Sequence, residues 1–213
     1  VANCGAIETK QAITAAADAL AGWAQTPAKS RAKILRAWFD LIIENEQGLA
    51  RLLTIEQGKP LDEALGEVRY GASYIEWFSE EAKRIYGDVI HAPSADKRIY
   101  TLKQPVGVVA CITPWNFPSA MLARKIAPAL AAGCTVVCKP ANETPLSALA
   151  LGHYAIEAGI PAGVINILCG KTQEIGAALT GSPVVRKLSF TGSTAVGKML
   201  TAACSSTMKR TSM

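Results

Sequence analysis

Apolar residues recur every three to four positions through residues 1–87, which is the spacing of amphipathic helices. An alanine-rich stripe predicts a first helix over 12–24. A wide apolar face then predicts one long helix over about 29–57, which Gly58 ends. A further helix is predicted over about 60–86, since it begins with a proline and is followed by a glycine. This part of the chain is therefore expected to be helical.

Residues 88–104 show a different pattern, in which two short runs of β-branched and aromatic residues flank a polar segment that contains Pro93. This arrangement predicts a β-hairpin. Exposed strand edges readily pair with other strands. The hairpin is therefore expected either to join another chain or another part of the fold, or to form a simple surface flap.

From residue 105 onward, short apolar runs alternate with helical patterns. This alternation predicts an α/β fold with a parallel sheet that is covered by helices on both faces. The strands are expected at 106–112, 134–139, 164–168, 186–190 and, as an incomplete last strand, 208–213. The helices are expected at 119–131, 144–158, 172–181 and 194–205.

The composition of the 213 residues argues against several classes of protein. Half of the residues are hydrophobic and 18% are charged, which suits a folded core and argues against disorder. The net charge of +5 is spread along the chain, so nucleic-acid binding is not expected. No apolar run reaches the roughly 18 residues of a membrane span, and no signal peptide is visible. We expect a cytoplasmic protein whose true N-terminus is missing or processed before Val1.

The six cysteines are scattered, and four lie in or beside apolar, strand-like runs. This distribution favours reduced, buried thiols in a cytosolic protein. Cys134 and Cys138 are expected on one face of a strand. Zinc would need two further ligands at suitable spacing, and His91 and His153 are far apart in sequence. No metal site is predicted.

A loop with polar and aromatic residues, Thr113–Pro118, follows the strand predicted at 106–112. Ligands of open α/β sheets bind at the carboxyl ends of the strands. The side-chain N–H of Asn116 is therefore expected where it can stabilise an oxyanion. The alternative is an ordinary strand-to-helix loop with a capping Asn.

Lys139 ends the buried strand predicted at 134–139, where a charged side chain needs a partner. A ribose hydroxyl or a phosphate would serve, and Asn142 can bind the same sugar. Thr144 is predicted as the N-cap and Pro145 as the first residue of the next helix. The alternative is that Lys139 extends its ammonium group to solvent.

A third signal lies between Phe190 and Gly197, where a strand ends and a helix begins near Thr194. Gly192 permits a tight turn, and Ser193 with the first helical N–H groups can bind a pyrophosphate at the positive end of the helix. The spacing matches neither GxGxxG nor GxxxxGK[ST]. An ordinary capped helix is therefore the alternative.

The ordered motifs PWNFP, KPANETP and FTGSTAVG closely resemble the aldehyde dehydrogenase superfamily, most of all its succinate-semialdehyde dehydrogenase branch. The resemblance covers essentially the whole chain. It implies a Rossmann-type NAD(P)-binding part over 105–213 that is incomplete at its C-terminus. It also implies a helical part of the same domain over 1–87 and an oligomerisation hairpin over 88–104. The catalytic domain is expected to be absent and the chain to be truncated at both ends.

The resemblance also implies roles for individual residues. Asn116 matches the oxyanion-hole Asn, and Arg124 matches an Arg that binds the carboxylate of a semialdehyde. The alternative is that Arg124 and Lys125 form a solvated helix face. Asn142 stands where NAD-preferring members carry a Glu that would repel a 2′-phosphate, so NADP is possible, and the neighbouring Glu143 keeps NAD open. The cofactor is therefore expected to be NADP or NAD. The residues matched to the cofactor site are Thr113, Pro114, Trp115, Lys139, Pro140, Ala141, Asn142, Gly176, Gly192, Ser193, Thr194, Ala195, Val196 and Gly197.

The mechanism implied by the resemblance needs a Cys nucleophile and a Glu that activates water. Neither has a match in this chain, because both follow the strand that ends at Met213. We expect the full-length protein to oxidise succinate semialdehyde, or alternatively glutarate semialdehyde, and the isolated chain to be inactive. Two alternatives stay open. In the first, the chain is a non-catalytic nucleotide-binding or assembly module that pairs with full-length partners through its hairpin. In the second, it is a relic fragment that is too incomplete to fold stably.

Overall fold

A computed structural model describes the whole chain, from Val1 to Met213. Its eight α-helices are α1 (Ala6–Gln25), α2 (Ala28–Glu44), α3 (Glu46–Gln57), α4 (Leu61–Glu81), α5 (Pro118–Ala131), α6 (Pro145–Glu157), α7 (Thr172–Gly181) and α8 (Thr194–Ser205). Its seven strands are β1 (Val89–Ile90), β2 (Ile99–Tyr100), β3 (Val108–Ile112), β4 (Thr135–Lys139), β5 (Ile165–Ile167), β6 (Val185–Phe190) and β7 (Arg210–Ser212). None of the helices has the length and apolar character that crossing a membrane requires.

Strands β3 to β7 form one five-stranded sheet in the order β5-β4-β3-β6-β7, and all of its pairs are parallel. The chain builds outward from β3 to β5 and then returns to the other side of β3 with β6. This reversal leaves a crevice at the carboxyl ends of β3 and β6, where ligands of open α/β sheets bind. The predicted α/β fold with a parallel sheet is confirmed.

Alternate residues of each central strand point to opposite faces of the sheet, and each face has its own core. Val109 and Cys111 of β3 pack with helices α2 to α6 on one face. Val108 and Ala110 pack with α1, α7 and α8 on the other face. Because both faces are buried, these strands are continuous apolar runs in the sequence.

Buried indole hydrogen bonds join two of the N-terminal helices to α5 and α6. The indole N–H of Trp23 in α1 donates to the carbonyl of Leu130 at 3.1 Å, and that of Trp38 in α2 donates to the carbonyl of Leu151 at 3.0 Å. Both indole rings are fully buried. Each ring therefore contributes a large apolar area while its one polar atom keeps a partner.

Three helix boundaries differ from the sequence predictions. Helix α1 begins at Ala6, earlier than expected, and α4 ends at Glu81 before a short 3₁₀ turn over Ala82–Arg84. The prediction of a single helix over 29–57 is wrong, because the helix is interrupted at Asn45 and a second helix, α3, follows it. The side-chain amide of Asn45 donates to the carbonyl of Leu41 at 2.8 Å. It thereby satisfies the end of α2, an interaction that apolar periodicity does not reveal.

Strands β1 and β2 form a separate antiparallel pair outside the main sheet. Val89 pairs with Tyr100 and Ile90 pairs with Ile99. All four side chains are exposed to solvent. The segment is therefore an apolar ribbon with no cover from the rest of the chain.

Candidate functional site

The three sequence motifs meet at the carboxyl edge of the sheet. Ile112 ends β3, and it is in register with Lys139 at the end of β4 on one side and with Phe190 at the end of β6 on the other. Backbone hydrogen bonds extend this register by one residue. The N–H of Thr113 donates to the carbonyl of Lys139 at 3.2 Å, and the N–H of Thr191 donates to the carbonyl of Ile112 at 3.1 Å. The three loops therefore leave the sheet side by side.

Lys139 lies inside this edge with only 4% of its surface exposed. Its ammonium group donates to the side-chain oxygen of Asn142 at 2.8 Å, and the side-chain amide of Asn142 donates to the hydroxyl of Thr172 at 3.3 Å. Burial is the main cause that lowers the pKa of Lys139, and the charge of Glu143 opposes it. The alternative in which Lys139 extends to solvent is therefore wrong.

The loop after β3 has a buried base and an exposed tip. The hydroxyl of Thr113 is buried at the base and has no hydrogen-bond partner in the chain. A buried hydroxyl without a partner costs free energy, so a ligand that bonded to it would remove this cost. The side chains of Trp115, Asn116 and Phe117 at the tip are exposed.

Helix α8 begins directly after β6, and the helix start predicted near Thr194 is confirmed. The hydroxyl of Ser193 accepts a hydrogen bond from the N–H of Val196 at 3.4 Å, which caps the helix. A side chain at Gly192 would collide with the ring of Phe190, so the turn needs glycine. The other N–H groups of the first turn have no intrahelical partner and are available to an anion.

A mostly apolar cavity of about 410 Å³ lies between α7 and α8, next to the ends of β3 and β4. Ile112, Lys139, Gly176 and Val196 are among its lining residues. A Cβ atom at Gly176 would have no heavy atom within 4 Å, so the cavity is open at that point. An apolar cleft with a single ammonium group at its edge suits a flat aromatic ring that carries a polar sugar.

Arg124 and Lys125 are adjacent in α5 but point in different directions. Arg124 is exposed, its guanidinium carbon lies 5.6 Å from the ring centroid of Tyr74, and it borders an open cavity with residues 190–194. Lys125 turns inward, where its Nζ donates to the hydroxyl of Ser189 at 3.0 Å and burial lowers its pKa. The alternative in which both residues form one solvated face is therefore wrong.

Two charged residues that the sequence patterns did not reveal hold the loop that carries Asn116. Nζ of Lys59 lies 2.5 Å from Oε2 of Glu67 and donates to the backbone carbonyl of Asn116 at 3.1 Å. Oε1 of Glu67 accepts hydrogen bonds from the N–H groups of Ser119 and Ala120. The available signal was a glutamate on the apolar face of a predicted helix, a position where burial requires a partner.

The N-cap predicted at Thr144 is confirmed, but its side chain does not cap α6. Thr144 occupies the N-cap position, but its hydroxyl is buried and makes no hydrogen bond. The carboxylate of Glu56 in α3 instead accepts hydrogen bonds from the N–H groups of Leu146 and Ser147, each at 2.7 Å. A negative charge at a helix N-terminus is stabilising. Pro145 is the first residue of the helix, as predicted.

All six cysteines are free thiols, and five of them are buried. Cys111 and Cys138 are neighbours across β3 and β4. Burial, together with a hydrogen bond to Cys111, raises the pKa of Cys138 well above its ordinary value. A thiol in this environment is not an activated nucleophile. No group of three or more His, Cys, Asp or Glu side chains is arranged to hold a metal ion.

The model of the aldehyde dehydrogenase family matches residues 1–213. The chain belongs to the aldehyde dehydrogenase family. It is 59% identical to the glutarate-semialdehyde dehydrogenase of Pseudomonas aeruginosa, a match that covers 100% of this chain and 44% of that relative. It is 58% identical to the succinate-semialdehyde dehydrogenase [NADP(+)] of Escherichia coli, with the same 100% and 44% coverage.

A crystal structure of an aldehyde dehydrogenase from Brucella melitensis is similar to this chain, with a TM-score of 0.98 and 61% sequence identity. That match covers 99% of this chain and 44% of the other. The chain therefore spans less than half the length of the family members it matches.

Proposed function

We propose that the full-length protein oxidises a short carboxylated semialdehyde to the corresponding acid with NADP or NAD, and that this chain is the cofactor-binding part of it. The main support is the register that aligns Lys139 with Ile112 and Phe190. This register brings an ammonium group, a helix N-terminus and the Asn116 loop to one edge of the sheet. Succinate semialdehyde is the first candidate substrate and glutarate semialdehyde the second, consistent with the names of the two relatives.

When bound, the nicotinamide cofactor supplies a hydride acceptor. We assign the adenosine ribose to the ammonium group of Lys139, and the pyrophosphate to Ser193 and the first N–H groups of α8. The adenine ring fits the apolar cavity beside Gly176 and Val196. Asn142 carries no charge and so does not repel a 2′-phosphate, which favours NADP and agrees with the name of the Escherichia coli relative.

Two further side chains are assigned to the substrate. The side-chain N–H of Asn116 stabilises the oxyanion that forms when the aldehyde carbon is attacked. The guanidinium of Arg124 offers two parallel hydrogen bonds to the substrate carboxylate. We assign the nucleophilic Cys and the Glu base to other parts of the full-length protein, since five of the six thiols here are buried. The isolated chain is therefore expected to be inactive.

The remaining parts of the chain have supporting roles in this proposal. Residues 1–87 complete the core of the cofactor-binding domain, and residues 105–213 carry its ligand site. The hairpin within 88–104 joins a second subunit, because the exposed apolar side chains of Val89 and Tyr100 need a cover.

The test is an assay of the full-length protein against succinate semialdehyde, glutarate semialdehyde and an uncharged aldehyde of similar length, with NADP and NAD. The proposal expects oxidation of the carboxylated aldehydes and none by the isolated 213-residue chain. Nucleotide binding without oxidation of any aldehyde would favour the assembly module instead. A chain that shows no cooperative thermal unfolding would favour the relic fragment.

A further inference from the structure

Lys59 and Glu67 form an ion pair beneath the loop that carries Asn116. Nζ of Lys59 lies 2.5 Å from Oε2 of Glu67, and 9% and 0% of the two side chains are exposed. Taking two charges out of water is unfavourable, and a buried ion pair often adds little net stability over an apolar pair. The stability of the fold is therefore a weak explanation for this pair.

The remaining contacts of the pair all go to residues 116–120. Lys59 donates to the backbone carbonyl of Asn116 at 3.1 Å, and its ammonium lies 4.1 Å from the ring centroid of Phe117, within range of a cation–π interaction. Glu67 accepts the N–H of Ser119 at 2.9 Å and that of Ala120 at 3.2 Å. The pair thus holds both the peptide after Asn116 and the first turn of α5.

The backbone on either side of Lys59 is conformationally restricted. Gly58 ends α3 in the left-handed conformation, with φ of 91°, and Pro60 fixes the start of α4. Lys59 is confined between them. The start of α5 lies close to α4, since a Cβ atom at Gly71 would come within 3.2 Å of the Cα of Ala120.

The tip of the loop has no other comparable support. The side chains of Trp115, Asn116 and Phe117 are exposed, so packing does not determine where the amide of Asn116 lies. An oxyanion donor must be held to within about 0.5 Å of its productive position. The contact of Lys59 with the carbonyl of Asn116 supplies this restraint from a buried position.

We propose that Lys59 and Glu67 are positioning residues that hold Asn116 where it stabilises the oxyanion. This inference rests on the proposed function, because it takes Asn116 as the oxyanion donor. Lys59 acts on the loop through its hydrogen bond to the carbonyl of Asn116 and its contact with the face of the Phe117 ring, and Glu67 holds the ammonium group of Lys59 in place.

The test is a double-mutant cycle in the full-length enzyme. Lys59→Met combined with Glu67→Gln removes both charges, so that no unpaired charge is buried, and leaves an amide oxygen for Ser119 and Ala120. We expect kcat to fall by about 10- to 100-fold with the KM for NADP unchanged, since a misplacement of about 1 Å can cost about 10²-fold. In the Asn116→Ala background, the same double change should lower kcat by less than about twofold, because the donor to be positioned is gone. An equal loss in both backgrounds, or no loss in a folded enzyme, would overturn the proposal.

Two further variants separate positioning from general stability. Glu56→Gln is the matched control, because Glu56 caps α6 from α3 as Glu67 caps α5 from α4; it should lower the Tm without lowering kcat. Lys59→Arg keeps the ion pair but changes the geometry of the donor to Asn116. It should lower kcat at a nearly unchanged Tm, and this result does not depend on how well the uncharged double variant folds.

Amide hydrogen exchange of the peptide that covers residues 114–121 gives a readout that is independent of activity. The exchange should be faster in the Lys59→Met, Glu67→Gln protein than in the wild type, and an unchanged rate would overturn the positioning role. If the wild type oxidises no aldehyde, the proposed function fails, and the exchange measurement still decides whether the pair holds the loop.

Discussion

The side-chain oxygen of Asn142 accepts a hydrogen bond from the buried ammonium of Lys139 at 2.8 Å. This neutral acceptor leaves the positive charge of Lys139 available to a phosphate. A carboxylate at the same position would pair with Lys139 and repel a 2′-phosphate. In the proposed function, Asn142 therefore helps to set the charge that the cofactor meets at the end of β4, next to the carboxylate of Glu143.

We expect Asn142→Glu to shift the preference of the full-length enzyme from NADP toward NAD. The ratio of kcat/KM for NADP to that for NAD should fall by about tenfold or more, the effect of about 1.4 kcal/mol of repulsion. Asn142→Gln is the matched control, because it keeps a neutral oxygen and should retain the preference. An unchanged ratio in the Glu variant would remove Asn142 from cofactor selection.

Asn116→Ala should lower kcat by about 10²-fold, which is the typical loss for one oxyanion-hole donor. Asn116 is exposed at the loop tip, so the substitution should leave the Tm unchanged. Steady-state kinetics and a melting curve on the same preparation test both expectations. Turnover close to that of the wild type would refute the oxyanion role.

Arg124→Ala should raise the KM for succinate semialdehyde by about tenfold or more, because a charge-assisted pair with a carboxylate contributes about 1.5–3 kcal/mol. An uncharged aldehyde of the same length is the control substrate, and its KM should change little. Arg124→Lys should be intermediate, since a lysine keeps the charge but loses the bidentate geometry. Equal losses on both substrates would mean that Arg124 acts on the loop or helix and not on the carboxylate.

The sequence predicted the elements whose signals are local. The bounds of α7 and α8 agree with the periodicity of residues 172–181 and 194–205. The meeting of the loops after β3, β4 and β6 at one edge of the sheet also followed from the sequence, because parallel strands that alternate with helices bring their C-terminal ends to one edge. Strand order and register then decided which loops became neighbours, and these required the structure.

Long-range polar contacts were the features that the sequence did not reveal. The cap of α6 comes from Glu56 in α3 and not from the adjacent Thr144. The restraint on Asn116 comes from Lys59, which is far away in the sequence. A capping motif can be recognised only when donor and acceptor are a few residues apart. Contacts between distant helices depend on packing, which periodicity does not specify.

Lys125 leads to a prediction about pH. Burial is the largest cause that lowers its pKa; Arg124 and Lys187 lower it further, and the nearby Cys111 opposes this. The unfolded state therefore binds more protons than the folded state between the lowered pKa and the ordinary value of about 10.4, so this group makes stability rise with pH in that window. Lys125→Met removes the contribution. The Tm of the variant relative to the wild type should be highest near neutral pH and should fall as the pH approaches about 10.4. A difference that is constant with pH would contradict the lowered pKa.

Substitutions at Gly176 should have opposite effects on the stability of the protein and on its affinity for the cofactor. A Cβ atom there meets no heavy atom within 4 Å, because it would point into the cavity between α7 and α8. Gly176→Ala should stabilise α7 by about 0.5–1 kcal/mol through its better helix propensity. It should also raise the KM for NADP, and Gly176→Leu should raise it further, because the side chain fills the space assigned to the adenine. Gly48→Ala in α3 is the matched control, since that position is equally open and should give the stability gain with no change in KM. If Gly176→Leu binds NADP as tightly as the wild type in a titration, the adenine does not lie in this cavity.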